Sequence, residues 1–458
     1  RTVWAPTAKR QTPGVGDRRV RAMAIARSTA SSEGLVAVAR ELVLVCGVGT
    51  QNSGNDASYE VVLDLLRRFR GEEQSVLVTP FPDGAVPIAA RTGARIVRLR
   101  QNSSGLRGGT KAARAIDAVL SEVTRLREVA RTVRGASLLV VTGTGIFDDF
   151  GEPPWNMPYA LLVWALAARA ARVPFACVGA GAGPIVNPVS RVLMAGAARL
   201  MTEVSYRDAD SLRYMEGIGA GRADARVCPD VVFAHDLPDV PAAQPTRARA
   251  TVGVGVMAYG GWSKTGDGDV YEAYLAMLAT VVDEIVRAGD RVRLIVGQPI
   301  DLSVAEDLLV RLAPEVATVV EPATYEEMPG LLRVMGECDV VLATRYHNVV
   351  SALLVRRPVV SLSYAPKNAE VLRALGIEGS DRAIEEADAV WVLERLRAIR
   401  TGRTGLPPEA DDKLTEWSGL VRVEVDRIAR LRASVRRGPL RLTPARRRAF
   451  ESGTQGSA

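Results

Sequence analysis

Four consecutive residues, Arg345, Tyr346, His347 and Asn348, combine a permanent cation, an imidazole and an amide. His347 is one of only two histidines in the 458 residues. An arginine binds a carboxylate or phosphate through two parallel hydrogen bonds, and a histidine can transfer a proton near neutral pH. The combination predicts a site for an anion that also needs a proton. A second interpretation stays open, because such an arginine often forms a structural ion pair and such a histidine is often only part of a helix start.

The elements that must position these side chains are a strand and a helix. An apolar run at residues 340–342 precedes them and a helical pattern at residues 349–354 follows. Side chains at such a turn lie at the carboxyl end of a parallel sheet, where open α/β folds bind ligands. The helix N-terminus adds N–H groups and a positive dipole that favour an anion.

The same arrangement recurs through the first half of the chain. Apolar strands at 42–46, 138–141, 173–178, 201–205 and 226–228 each lead into a polar or glycine-bearing loop. Since the carboxyl ends of parallel strands share one edge of a sheet, these loops are expected to lie together. The first loop has neither G-x-G-x-x-G nor the P-loop lysine, so neither nucleotide-binding fingerprint applies.

A second strand–helix series begins at residue 252, after a stretch rich in Pro, Ala and Arg. We therefore predict two Rossmann-like, doubly wound α/β domains that face each other across a cleft. The N-terminal domain is placed at 36–240, the linker at 241–250, and the C-terminal domain with its terminal helix at 251–437.

Composition places the chain among globular proteins, with 47% hydrophobic residues and a mean hydropathy of +0.06. No apolar run reaches the roughly 18 residues of a membrane-spanning helix; the nearest, at 153–168, is interrupted by Asn156 and Pro158. The four cysteines lie far apart, which favours buried reduced thiols over zinc ligands and indicates a cytoplasmic protein.

The formal charge of +7 is concentrated at the two ends of the chain. Residues 1–35 and 436–458 each have a net charge of +5, which leaves −3 for the chain between them. This distribution argues against a nucleic-acid partner, which would need a basic folded surface. We expect 1–35 and 438–458 to be disordered basic tails, and we expect any peripheral contact with the inner face of the membrane to occur through them.

Taken together, the loops resemble those of the polysaccharide pyruvyl transferase family over roughly residues 42–380. The order and spacing of seven short motifs carry the resemblance: Asn52-Ser53-Gly54, Gly143-Thr144-Gly145 with Asp149, the G-x-G-x-G-P run at 179–184, Arg207-Asp208, Pro229-Asp230, Arg345-Tyr346-His347, and the S-Y-x-x-K run from Ser363 to Lys367.

The resemblance implies a GT-B-like fold and an enzyme of cell-envelope polysaccharide biosynthesis. It implies transfer of a pyruvyl group from phosphoenolpyruvate onto two hydroxyls of a saccharide, free or lipid-linked, with release of phosphate. It implies neither a metal nor an organic cofactor.

The family chemistry assigns roles to individual residues. We expect His347 to be the general acid, Arg345 and Arg207 to bind the donor anion, and Lys367 to neutralise the leaving phosphate. Other expected substrate contacts are Asn52, Asp56, Gly143, Asp149, Gly181, Asn348 and Tyr364. For the two aspartates a role as a helix cap stays open.

Two other classes of function compete with this interpretation. A GT-B glycosyltransferase with a nucleotide-sugar donor often has Glu-x7-Glu, and Glu370 and Glu378 have that spacing. The residues between them read as continuous helix, which favours coincidence. A saccharide-binding protein without activity is disfavoured by the intact Arg345 and His347.

Overall fold

The computed structural model describes residues 41–50, 53–71, 73–99, 111–149, 152–259, 268–325 and 327–432. Within these residues the chain forms two parallel β-sheets, each covered by helices on both faces. The predicted α/β architecture of two doubly wound sheets is confirmed. The predicted basic tails and Asn52 lie outside the described residues.

The first sheet has seven strands among the described residues, and every adjacent pair is parallel. Its order is β3-β2-β1-β4-β5-β6-β7. The strands are β1 (Glu41–Val45), β2 (Ser75–Thr79), β3 (Arg95–Arg98), β4 (Ala136–Phe147), β5 (Phe175–Ala182), β6 (Glu203–Tyr206) and β7 (Arg226–Val227). The helices between them are α1 (Ser53–Arg70), α2 (Val86–Thr92), α3 (Lys111–Gly135), α4 (Met157–Ala171), α5 (Pro188–Leu200) and α6 (Ala209–Met215).

The second sheet has six strands within the described part of the chain, in the order β10-β9-β8-β11-β12-β13. They are β8 (Thr251–Val256), β9 (Arg291–Val296), β10 (Val320–Ala323), β11 (Val340–Ala343), β12 (Val359–Ser363) and β13 (Asp381–Ala383). The helices are α7 (Gly268–Arg287), α8 (Asp301–Arg311), α9 (Pro314–Ala317), α10 (Met328–Gly336), α11 (Tyr346–Leu354), α12 (Pro366–Ala374) and α13 (Ala389–Arg400).

The last helix of the described residues, α14 (Pro408–Ala429), connects the cores of the two halves. Ala410 and Leu414 near its start pack with residues of the second half. Val421, Val425 and Ile428 pack against the core that covers one face of the first sheet. The helix that the sequence assigned to the C-terminal domain therefore also completes the core of the N-terminal one.

The order of the strands fixes where a ligand can bind. In each sheet the first strand in the sequence lies inside the sheet, and later strands are added on both sides of it: β1 lies between β2 and β4, and β8 lies between β9 and β11. Such switch points open a crevice at the carboxyl edge of the sheet. The loop after β1 leads into α1, and the turn after β11 leads into α11, so each switch point contributes one helix N-terminus.

Candidate active site

His347 lies in the first turn of α11, directly after the buried strand β11. The turn between them is fixed by Thr344, which is fully buried and donates a hydrogen bond from Oγ1 to the Gly255 carbonyl at 3.0 Å. Arg345 then has extended backbone angles (φ −74°, ψ 139°) and precedes the first helical residue. The strand, turn and helix predicted from the sequence therefore present His347 at the carboxyl edge of the second sheet.

The imidazole of His347 lies against the first turn of α1, which belongs to the other half of the chain. A Cβ added at Gly54 would lie 2.1 Å from Cγ, Nδ1 and Cε1 of His347. This distance is far inside van der Waals contact, so only glycine allows the helix to approach the ring. Gly54 belongs to the Asn52-Ser53-Gly54 motif, but no local pattern pairs it with His347.

Burial is the main influence on the charge of His347. It lowers the pKa of the imidazole from 6.5 to about 4; Asp230 opposes the shift, while Lys367, Arg207 and Arg345 add to it. In the unliganded site the ring is therefore neutral at pH 7. A negatively charged ligand among these cations would reverse their effect.

Arg207 follows β6 and reaches toward α11 from the first half of the chain. Its Cζ lies 5.0 Å from the centroid of the Tyr346 ring, and its nitrogens lie 3.4 Å from Asp208 and 3.9 Å from Asp230. A Cβ added at Gly181 would lie 2.8 Å from Nη2 of Arg207. Gly181, predicted as a substrate contact, thus makes room for the guanidinium.

Asp230 and Tyr346 connect the cations to one another. The carboxylate of Asp230 is buried, accepts a hydrogen bond from the Val232 amide at 3.1 Å, and interacts with the Tyr346 hydroxyl. Burial, together with the nearby Asp230 charge, raises the pKa of Tyr346, so the phenol stays protonated. Both residues belong to motifs that carry the family resemblance, but no role was predicted for either of them.

Lys367 completes the cationic group from the turn after β12. Its Nζ lies 4.7 Å from the ring centroid of Tyr364 and 5.4 Å from that of Tyr346. The two tyrosines hold the ammonium near Arg207, as expected for cation–π contacts. The structure therefore brings together four of the predicted residues: His347, Arg207, Lys367 and Tyr364.

Arg345 points to a different partner. Its Nε and Nη2 donate to the two carboxylate oxygens of Asp301, at 2.5 and 2.6 Å. Asp301 is fully buried at the start of α8 and also accepts from the Ala258 amide at 2.9 Å. The sequence predicted that Arg345 would bind a substrate anion. In the structure Arg345 instead makes its two parallel hydrogen bonds with the carboxylate of Asp301. Arg345 still acts electrostatically on His347.

Asp56 shows signs of a functional carboxylate in the first turn of α1. Burial raises its pKa from 3.8 to about 6, against the effect of a hydrogen bond from the Gly49 backbone. Its Oδ1 is buried and has no hydrogen-bond partner among the described residues. A protein rarely leaves such an atom unpaired without a reason.

The remaining predicted residues have structural partners or lie deeper. Asp149 accepts hydrogen bonds from the Val186 and Asn187 amides, each at 2.8 Å, and so fixes the loop before α5. Gly143 has φ +63° within β4. Asn348 is 1% exposed, and its Nδ2 has no partner within the described part of the chain.

A cavity of about 250 Å³ opens beside Arg207 and Lys367, between the two halves. Asp208, Asp230, Tyr346 and Glu370 are among its polar lining. Phe233 and Trp417 form its aromatic wall, with ring centroids 4.8 Å apart. Trp417 comes from α14 and could not be placed here from the sequence.

Among the described residues, no group of three or more His, Cys, Asp or Glu side chains is arranged to hold a metal ion. In the same residues no helix is long and apolar enough to cross a membrane. The four cysteines are buried free thiols.

Solved structures with a similar fold are two-domain enzymes of the GT-B type. They include S. aureus MnaA with UDP (TM-score 0.53, 11% identity, covering 84% of this chain and 95% of that one) and the UDP-GlcNAc 2-epimerase of Methanocaldococcus jannaschii (0.53, 10%, 84% and 99%). Anabaena HepE, solved with UDP and glucose, is similar to the same degree (0.52, 14%, 85% and 97%). At these identities the likeness shows the fold alone, and the predicted GT-B-like architecture is confirmed.

The family follows from the sequence. The model of the polysaccharide pyruvyl transferase family matches residues 52–366, a span that contains every predicted site residue except Lys367. The chain belongs to the polysaccharide pyruvyl transferase family and is a transferase. No curated protein matches it closely.

Proposed function

We propose that this enzyme transfers the pyruvyl group of phosphoenolpyruvate to two hydroxyls of a saccharide and forms a cyclic ketal. The first hydroxyl bonds to C2 of the donor while the methylene carbon gains a proton and becomes a methyl group. The C2–O bond to phosphate then breaks, and the second hydroxyl bonds to C2. Of the two hydroxyl protons, one balances the proton gained by the methyl group and the other leaves with phosphate.

One observation carries this proposal: a neutral imidazole lies within the field of three cations, Arg207, Lys367 and Arg345. Phosphoenolpyruvate has two anionic groups, a carboxylate and a phosphate, and arginine and lysine bind both. Its reaction also needs a proton at carbon, which histidine can supply. The family match supports the same reaction.

We assign the proton transfer to His347 and donor binding to Arg207 and Lys367. Asp230 from the same half and Tyr346 from the other half orient Arg207. Because burial lowers the pKa of His347 to about 4, the donor must supply the negative charge that lets the ring hold a proton. The acid thus becomes competent when the donor binds.

We expect the acceptor to bind in the cleft beside the donor, in contact with both halves. Asp56, with its raised pKa, is the candidate base for an acceptor hydroxyl. The cavity offers an aromatic face at Trp417 and carboxylates at Asp208 and Glu370. Aromatic rings and carboxylates suit the apolar and hydroxylated faces of a sugar ring.

The test measures phosphate release from phosphoenolpyruvate with a panel of saccharide acceptors, and identifies the ketal by mass spectrometry. His347→Gln should lower turnover by about 10²–10⁴. The matched control is His235→Gln, since His235 is the other histidine and its ring Nδ1 hydrogen bonds to the backbone carbonyl of its neighbour Asp236 at 2.6 Å. Turnover by His347→Gln near the wild-type rate would contradict the assigned proton donor.

A second candidate is a sugar-nucleotide enzyme, because the similar folds include enzymes solved with UDP. Against it, Glu370 lies within the helix α12, as expected if its Glu-x7-Glu spacing to Glu378 is a coincidence. Thermal shift with phosphoenolpyruvate against UDP-sugars separates the two candidates. Stabilisation by UDP-sugars alone would favour the second.

A further inference from the structure

The outer surface of three neighbouring helices in the first half is apolar. We call it the α3–α5 face. Its exposed members are Ile116, Val119, Leu120 and Val123 on α3, Leu166 on α4, Val189 and Val192 on α5, and Trp155 and Val186 just before the two last helices. On α3 the spacing of i, i+3, i+4 and i+7 is that of a buried helical stripe, yet it faces solvent. Val192 is 73% exposed and Leu120 is 61% exposed.

The α3–α5 face is also basic. The chain from residue 157 to 200 contains four arginines, Arg169, Arg172, Arg191 and Arg199, and neither aspartate nor glutamate. In the described part of the structure none of the four pairs with a carboxylate. Helix α3 adds six basic and three acidic residues, so the helix layer has a strong positive charge.

Apolar residues lie at the N-terminal ends of α4 and α5, and arginines lie at the C-terminal ends. Each helix starts at the carboxyl edge of the first sheet, because it follows a strand that ends there. Trp155, Val186 and Val189 therefore lie at the edge that also carries Arg207. Arg172 and Arg199 lie at the other ends of their helices.

A second copy of this chain does not fit the face. Two-fold pairing would bring two positively charged layers together, either arginine against arginine or arginine against the apolar end of the other copy. The α4 and α5 segments offer no carboxylate in either case, and the three carboxylates of α3 are outnumbered by its own six basic residues. A buried charge without a partner is unfavourable.

An anionic lipid surface fits both properties. Aliphatic and tryptophan side chains insert into the boundary between headgroups and acyl chains, and arginines bind the phosphates. We propose that the α3–α5 face docks on an anionic membrane surface. The apolar edge then holds the mouth of the cleft at the membrane, where a lipid-linked saccharide would be presented. This assignment differs from membrane contact through the tails and does not depend on which donor the enzyme uses.

The test is co-flotation of the full chain with vesicles of phosphatidylcholine alone, or of phosphatidylcholine mixed with phosphatidylglycerol. We expect binding to the mixed vesicles, weakened by salt. Leu166→Gln/Val192→Gln should reduce binding about tenfold or more. The matched control, Val310→Gln/Val390→Gln, changes two exposed valines on the second half (86% and 66% exposed, against 51% for Leu166 and 73% for Val192) and should bind like the wild type.

A second variant separates charge from apolar contact. Arg169→Gln/Arg172→Gln should remove the preference for the anionic vesicles. The proposal would be overturned if the wild type did not float with the mixed vesicles. It would also be overturned if both face variants floated like the wild type, and binding would then be assigned to the tails. A concentration-dependent dimer that Leu166→Gln/Val192→Gln disrupts in lipid-free sedimentation would assign the face to a second copy instead.

Discussion

Donor binding should bring a proton into the site, because the same cations that attract the donor keep His347 neutral beforehand. Burial and these cations lower the pKa of the imidazole to about 4. At an effective dielectric constant of about 20, one unit charge at roughly 8 Å is worth about 2 kcal/mol, or about 1.5 pKa units. Two negative charges of bound phosphoenolpyruvate therefore raise the pKa of His347 to about 7.

The pKa of His347, about 4 without the donor and about 7 with it, determines how donor affinity changes with pH. Between pH 4 and about 7 the donor complex holds a proton that the free enzyme lacks, so donor affinity should weaken about tenfold per unit as the pH rises through this window. Above about pH 7 the affinity should level off. At pH 6 the uptake on His347 should be about 0.9 proton.

Isothermal titration calorimetry in buffers of different ionisation enthalpy measures the uptake directly. The donor's phosphate also titrates near pH 6, so the same titration of His347→Gln is the control for its contribution. The difference between the two slopes belongs to the imidazole. Equal slopes for wild type and His347→Gln would refute the reasoning, even if the variant had lost turnover.

Three further predictions concern stability and geometry. Arg345→Gln leaves the fully buried Asp301 unpaired and should lower the free energy of unfolding by about 3–5 kcal/mol in urea, a loss that Asp301→Asn in the same chain should partly restore; an unchanged midpoint would contradict the structural pair. Gly54→Ala must displace the imidazole and should lower turnover about 10²-fold. The control Gly419→Ala should not lower turnover, because a Cβ added there meets nothing within 4 Å. Equal rates for the two variants would exclude the close contact between Gly54 and His347. Asp56→Asn should stabilise the fold at pH 8 by up to about 3 kcal/mol and little at pH 4, since burial penalises only the charged form; urea unfolding with the same gain at both pH values would rule this out.

The local pattern of the sequence predicted the parts of the site that are local in the fold. The apolar run at 340–342 and the periodicity after it correspond to β11 and α11, and Arg345 and His347 lie at the start of that helix as expected. Strand ends gather at one edge of a sheet by topology alone. Topology therefore predicts the sheet edge at which Arg207 lies and, in the other sheet, the edge at which Tyr364 and Lys367 lie, whereas their assignment to one site came from the family resemblance.

Contacts between distant segments could not be predicted in this way. Arg345 finds its partner Asp301 in another strand–helix unit, and no local pattern marks that pair. The contact of Gly54 with His347 depends on how the two halves close. The lowered pKa of His347 likewise arises from burial, which only the packed structure defines.

The helix α14 has a consequence for how the chain folds during synthesis. Val421, Val425 and Ile428 belong to the core of the first half, although the last strand of that sheet ends at residue 227. The ribosome must add roughly 190 residues in between, which takes about 10–40 s at 5–20 residues per second. During that interval the apolar face under α14 is uncovered and available to chaperones. Truncation of the chain before α14 should therefore leave the core of the first half incomplete.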